Sequence, residues 1–299
     1  MSVSKAQIKQ VRSLQQKKFR DELGLFVAEG DKCVEELQKG FELVSLFREG
    51  DNATRTEIEQ MSGLRTPQGT IGVFRQRPAD PLHPSLQHPL QHPVGLPPCG
   101  GEELCSIGRP VDGRRTLSGE RLLLALDGVQ NPGNLGTIIR TCAWFGVHDI
   151  VCSPDTADCY NPKVVQATMG ALVRVRIHYT DLPEWLTGIR SAPRPPKGGV
   201  ASSGVRIYGT LLDGKDMYEV LQSEGRSYSK AVLQQSGPTA QRSIIVMGNE
   251  GNGISEEVRK IITHPIRIPS YPKDAETSES LNVAIATAIV LAEFRRSEV

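Results

Sequence analysis

No apolar run in this chain approaches the roughly 18 residues that a membrane-spanning helix needs. The N-terminus has no apolar core of the secretory kind. No membrane partner is expected. None of the six cysteines stands in a C-x-x-C pair; Cys33, Cys99, Cys105, Cys142, Cys152 and Cys159 are scattered. The zinc-ribbon and thioredoxin readings lose their support, and reduced thiols of a cytoplasmic protein remain. Net charge is also missing, at +1 from 35 Lys and Arg against 34 Asp and Glu. Without a global field, a nucleic acid would have to meet a local basic patch. The first 20 residues contain no acid, a pattern that also fits a mitochondrial leader.

What is present suffices for two domains, since 299 residues can bury a sizeable core. Residues 1–77 alternate short strands and helices, as a small α/β domain does. Residues 3 to 20 read as one amphipathic helix, with Ile8, Val11 and Leu14 on one side. Lys5, Lys9, Arg12 and Arg20 fall near one line on it, with Lys18 close by. That line is either a solvated face or a stripe that contacts phosphates. Residues 78–117 lose all periodicity and are rich in proline. His83, His88 and His92 are each followed by proline, so a linker or insertion is expected there and no metal site.

Residues 118–299 read as a second α/β domain with a mostly parallel sheet and helices on both faces. Leu122 to Leu126 is a continuous apolar run, as in a parallel strand buried on both sides. Helices are expected over 137–145, 162–169, 182–189 and 216–221, and strands over 148–152, 172–177 and 205–211. A second proline- and glycine-rich insert spans 191–204. The closing helix, from Leu281 to Arg295, is apolar almost all round, so it should bury more than one side, one of them against a partner subunit.

Two loops follow buried strands and carry the chemistry. After Leu126 comes Asn131-Pro132-Gly133-Asn134-Leu135-Gly136; after Met247 comes Gly248-Asn249-Glu250-Gly251-Asn252-Gly253. Neither is a dinucleotide fingerprint, and no Lys-Ser or Lys-Thr makes either a phosphate loop. Glycines there let a backbone approach a ligand closely. Asn134 and Arg140 can both look toward the loop end only if Asn134 starts a helix.

Asn134-Leu135-Gly136-Thr137-Ile138-Ile139-Arg140, Gly248-Asn249-Glu250-Gly251, and Ile268-Pro269 followed by Ser280-Leu281-Asn282-Val283 resemble the three ordered motifs of the SpoU or TrmH family of RNA 2′-O-ribose methyltransferases. Lys18-Phe19-Arg20 and Phe26-Val27-Ala28-Glu29-Gly30 resemble the family's small N-terminal substrate-binding domain. The resemblance implies a trefoil-knotted catalytic domain, S-adenosylmethionine as methyl donor and a homodimer formed through the last helix. It implies Gly248, Ile268 and Leu281 as cofactor contacts, and Arg140, Asn134, Glu250, Ser280 and Asn282 as the catalytic set, with Ser280 as an alternative cap of the last helix. Ribosomal RNA is the expected substrate, transfer RNA the alternative. A catalytically silent RNA-binding module and a nucleotide-dependent α/β enzyme are the competing readings. The loop over 270–279 is longer than in typical members, which bears on the contact at Ile268.

Overall fold

The computed structural model describes residues 3–78, 121–191, 205–225, 242–272 and 280–296. The histidine-bearing segment and the 192–204 insert lie outside the described residues.

The N-terminal unit begins with two helices, α1 (Lys5–Ser13) and α2 (Lys17–Leu23), where one was expected. Ser4 and Gln7 form a reciprocal capping box that starts α1. The break has a specific cause. Arg20 Nη1 donates to the carbonyls of Leu14 and Gln15, both at 2.9 Å. Those carbonyls would serve Lys18 and Phe19 in a continuous helix. Gly24, at φ 63°, then ends α2 in the left-handed conformation. Strands β1 (Leu25–Glu29), β2 (Leu43–Arg48) and β3 (Thr70–Arg75) make an antiparallel sheet in the order β1-β3-β2. Helices α3 (Asp31–Gln38) and α4 (Arg55–Met61) complete it.

Both faces of this sheet are covered. Leu25 and Val27 join Val11, Leu14, Ile58 and Met61 in one core. Phe26 and Ala28, on the other face, join a larger core that also contains the leucines of the second sheet. Phe26 packs on Phe41, Phe74 and Tyr160, with centroids 4.9 to 5.6 Å apart. Two glycines permit the approach of the two units: a Cβ on Gly170 would meet Glu36 Cβ at 2.3 Å, and one on Gly40 would meet Val173 Cγ1 at 2.7 Å.

The second unit runs β4 (Arg121–Leu126), α5 (Pro132–Trp144), β5 (Asp149–Cys152), α6 (Pro162–Thr168), β6 (Arg176–Tyr179), α7 (Leu182–Ser191), β7 (Arg206–Asp216), α8 (Met217–Gly225), β8 (Arg242–Met247), α9 (Glu256–Arg259), β9 (His264–Arg267) and α10 (Val283–Arg296). Its six strands lie in the order β6-β5-β4-β8-β7-β9, and every neighbouring pair is parallel. The alternation in β4 explains its apolar run. Leu122, Leu124 and Leu126 face one core with α5, α6 and α10. Leu123 and Ala125 face another with α7 and α9.

Three expectations shift. The strand expected over 172–177 is a 3₁₀ turn, Ala171–Val173, followed by β6 at Arg176–Tyr179. Gly170 at φ 84° starts that turn, and Leu172 and Val173 are buried. Helix α5 starts five residues earlier than expected, at Pro132, because Asn131 caps it and proline suits its first turn. Strand β7 extends to Asp216, but its pairing with β9 jumps from Thr210 to Lys215. Residues 211–214 therefore loop out of the sheet beside the end of β8. The four described cysteines, Cys33, Cys142, Cys152 and Cys159, are free and buried. Burial pushes the Cys33 thiol up to about 11 and the Cys159 thiol up to about 12.

Candidate active site

Strands β4 and β8 lie side by side at the centre of the sheet, and their carboxyl ends carry the two glycine loops. Asp127 ties the ends together. Its amide donates to Met247 O at 2.9 Å, and its carboxylate accepts from Ser255 N at 2.7 Å. Asn249 does the same from the other loop. Its Nδ2 donates to Gly128 O at 2.6 Å, while its Oδ1 accepts from Gly251 N at 2.8 Å and Asn252 N at 3.0 Å. The Asn249 and Gly253 backbones exchange two hydrogen bonds, at 2.8 and 3.0 Å. Gly248 stands where that exchange closes. A Cβ there would lie 2.3 Å from Gly253 C and 2.4 Å from Ile254 N. Gly248 is thus required by the loop's own backbone, whatever else it touches.

Three motif residues from three distant segments meet above these loops. Asn282 accepts from the amides of Ala284 and Ile285, at 3.0 and 3.3 Å, and so caps α10. With its Oδ1 committed, its Nδ2 donates to Asn134 Oδ1 at 3.0 Å. Asn134, its oxygen now used, donates through Nδ2 to Glu250 Oε1 at 2.9 Å. The direction of each amide is fixed by the next, from the helix terminus to the carboxylate. Ser280, weighed as the cap of the last helix, is exposed and lies two residues before the residue that performs this task.

Arg140 lies two turns into α5, exposed, on a face with Thr137 and Trp144. Six residues of helix turn it about 120° away from Asn134. Both Thr137 and Thr141 spend their hydroxyls on the helix's own carbonyls, at Gly133 and Thr137. The Arg140 guanidinium makes no hydrogen bond or ion pair among the described residues, and its five donors face outward. Asn134 and Asn282 therefore orient Glu250 and leave Arg140 untouched. Gly136, the motif's middle residue, has a different task. A Cβ there would meet Ala167 Cβ at 2.4 Å, so it sets the close packing of α5 on α6.

A match to the SpoU rRNA Methylase family model covers residues 121–292, more than half of the chain, and includes every residue of this constellation. The chain belongs to that family. Residues 5–57 match the MRM3-like substrate binding domain. A Bacillus subtilis protein named as a 23S rRNA (guanosine(2553)-2′-O)-methyltransferase, RlmP, is 25% identical over 295 residues, 98% of each chain. Among solved structures, a TrmH-family chain from Porphyromonas gingivalis is 31% identical, with a TM-score of 0.67 over 98% of both chains. An rRNA methyltransferase from Sinorhizobium meliloti, solved with S-adenosylmethionine bound, is 27% identical, with a TM-score of 0.69 over 100% of this chain and 98% of that one.

Ile268 is half-buried at the edge of the main core, one residue beyond β9. Leu281 is half-exposed next to Asn282. Lys5, Lys9, Arg12 and Lys18 are exposed on α1 and α2. Arg20 departs from the expected stripe. It is 1% exposed, and its Nη2 and Nε donate to Asp158 Oδ2 at 2.6 and 3.2 Å. A guanidinium 1% exposed, with four of its five N–H groups engaged within the chain, is not presented to a phosphate, so Arg20 is withdrawn from the RNA-contacting set. Asp127, Asn131 and Asn249 were invisible to motif reading. Only the preference of Asx residues for loop and cap positions marks them. No group of three or more His, Cys, Asp or Glu suited to a metal occurs among the described residues. No described helix is long and apolar enough to cross a membrane.

Proposed function

We propose that this chain transfers a methyl group from S-adenosylmethionine to a ribose 2′-hydroxyl of ribosomal RNA. The observation that carries the reading is the Asn282–Asn134–Glu250 chain, built on the same helix that carries an exposed Arg140 with no hydrogen bond or ion pair among the described residues. The relatives named as rRNA 2′-O-methyltransferases favour ribosomal over transfer RNA. The loops fit the donor. Gly248 leaves only backbone at its position, and the half-buried Ile268 and half-exposed Leu281 supply apolar side chains, which suits an adenosyl group held mainly by backbone. When bound, S-adenosylmethionine supplies a methyl group already activated by its sulfonium.

The protein's task is alignment and proton management. Arg140 holds the phosphate next to the target ribose through its planar fork and polarises the hydroxyl. With a pKa above about 12, it is not itself the base in its ordinary state. Asn249 orders the loop amides, and Glu250, fixed by Asn134, keeps its carboxylate at the donor's side. Ser280, exposed at the entry to α10, lies within the same rim. Lys5, Lys9, Arg12 and Lys18 contact RNA phosphates. Residues 1–77 form the RNA-binding domain, 78–117 a connection, and 118–299 a catalytic domain knotted through its C-terminal loops, in a cytoplasmic enzyme.

The active form is a homodimer. Helix α10 runs parallel to α5, with Asn282 by Asn134 at one end and Arg295 donating to Phe145 O at 2.8 Å at the other. Along this pair Trp144 is 85% exposed and Ile285 56%. Exposed large apolar side chains on both of these helices, one of them the active-site helix, suit burial against a second copy. Sedimentation of the full chain should give twice the monomer mass at micromolar concentration; a monomer would remove this part of the reading.

The test of activity is transfer from labelled S-adenosylmethionine to unmodified 23S rRNA and, separately, to unmodified transfer RNA. Label on a ribose 2′-oxygen of the former is expected. Cofactor binding without label in either pool would point to an assembly intermediate as the substrate, and a silent RNA-binding module would bind no cofactor. No cofactor binding would sink the enzyme reading.

A further inference from the structure

We propose that Arg20 and Asp158 are a positioning pair that sets where the cationic helix α1 stands relative to the methyl-transfer site. The inference rests on the reading of α1 as an RNA-contacting helix.

Arg20 is among the largest fully buried side chains of the described residues. Its guanidinium is divided between two tasks. Nη1 holds the carbonyls of Leu14 and Gln15, the two residues that follow α1, and Nε and Nη2 hold Asp158. It thus joins the end of the helix bearing Lys5, Lys9 and Arg12 to a loop of the catalytic unit 138 residues away. Gln76 reinforces the junction by donating to Arg20 O and Leu25 O, both at 3.1 Å.

The far end of the link reaches the site. Asp158 belongs to the loop after β5, and its other oxygen accepts from Tyr160 N at 2.9 Å. That loop is fastened to the loop after β4. Ala157 N donates to Val129 O at 2.9 Å, Ser153 Oγ accepts from Gly128 N at 2.8 Å, and Thr156 Oγ1 donates to Leu126 O at 3.2 Å. Gly128 O in turn accepts from Asn249, and Asn131 caps the helix that carries Asn134 and Arg140. Hydrogen bonds, joined by short stretches of backbone, therefore connect the C-terminal end of α1 to Asn134, which holds Glu250.

A buried ion pair is a poor source of net stability, because desolvation offsets much of its attraction. What it specifies well is geometry, since a misaligned buried charge is penalised. An enzyme that binds RNA on one unit and reacts on another needs that geometry. A displacement of about 1 Å at the reacting atoms can cost on the order of 10²-fold in rate.

The experiment uses the full chain with unmodified 23S rRNA. Arg20→Met, Asp158→Asn and Arg20→Lys are compared with the unaltered protein in three readouts: single-turnover methyl transfer at saturating RNA, RNA affinity with its salt dependence, and S-adenosylmethionine affinity. Arg20→Met and Asp158→Asn should each lower the saturating rate by about tenfold or more. RNA affinity, its salt slope and cofactor affinity should stay within about twofold, because the cations of α1 and the donor loops are intact. Arg20→Lys, which keeps the charge but not the fork, should fall between. An unchanged saturating rate in both variants would overturn the proposal. So would weaker RNA binding with a salt slope shallower by about one, which would make Arg20 a phosphate contact. Parallel loss of cofactor binding, or insolubility of both variants, would assign the pair to folding alone and overturn it as well. If the unaltered protein labels no RNA, the proposed activity fails; if it labels RNA and the variants match it, only the pair fails.

Discussion

Replacing Arg140 by alanine should lower single-turnover methyl transfer by about 10³-fold or more and leave S-adenosylmethionine affinity within about twofold. The split follows from position. Arg140 projects from the exposed face of α5, about 120° around the helix from Asn134, and makes no hydrogen bond or ion pair among the described residues. Removing it unfastens nothing in the donor loops, which Asp127 and Asn249 hold together. Nor should stability move far, since an exposed helical position tolerates alanine well. Arg140→Lys should recover part of the rate. A lysine keeps the charge near the phosphate but cannot present two donors in one plane. The measurement is a rapid-quench time course at saturating cofactor and RNA, paired with calorimetry of cofactor binding. Full rate in Arg140→Ala would remove the residue from the mechanism. Loss of cofactor binding in step with the rate would make it part of the donor site.

Much of this constellation was legible because it depends on local patterns. The runs Leu122–Leu126 and Ile244–Val246 are buried on both faces, and such runs look alike wherever they occur. The loops after them announce a site because parallel strands end there. What was not legible depends on partners far along the chain. The line of Lys5, Lys9, Arg12 and Arg20 is periodic, yet Arg20 is turned inward by Asp158, and no spacing within α1 and α2 records that carboxylate. The break between those helices has the same origin. Asn282 as the cap of α10 was obscured by a plausible serine two residues earlier, and the bond to Asn134 crosses 148 residues. Asn249 occupied the unspecified place in G-x-E-G, though its side chain ties its own loop's amides and reaches across to Gly128 O.

The second large effect is expected from Gly248→Ala, and it separates two reasons for a glycine within one loop. An added methyl at Gly248 would lie 2.3 Å from Gly253 C, 2.4 Å from Ile254 N and 2.6 Å from Gly253 O. These are backbone atoms in a closed exchange of hydrogen bonds, so no side chain can swing aside. The Asn249–Gly253 bridge must open, and Asn249 then loses its hold on Gly128 O and on the amides of Gly251 and Asn252. Glu250, carried on the same turn, leaves Asn134. Overpacking of this kind costs about 1–3 kcal/mol of stability. S-adenosylmethionine affinity should fall on the order of 10²-fold, because in the proposed reading the displaced backbone forms the donor's binding surface. Gly253→Ala is the control. Its φ of +69° strains an L-residue, but no atom lies within 4 Å of the new Cβ. Its cost should stop at about 1–2 kcal/mol of backbone strain, with cofactor affinity largely kept. Calorimetry and thermal unfolding on the two variants distinguish the cases. Equal losses of affinity would mean that the loop responds to strain anywhere along it. Retained affinity in Gly248→Ala would mean that the backbone at this position is not where the donor sits.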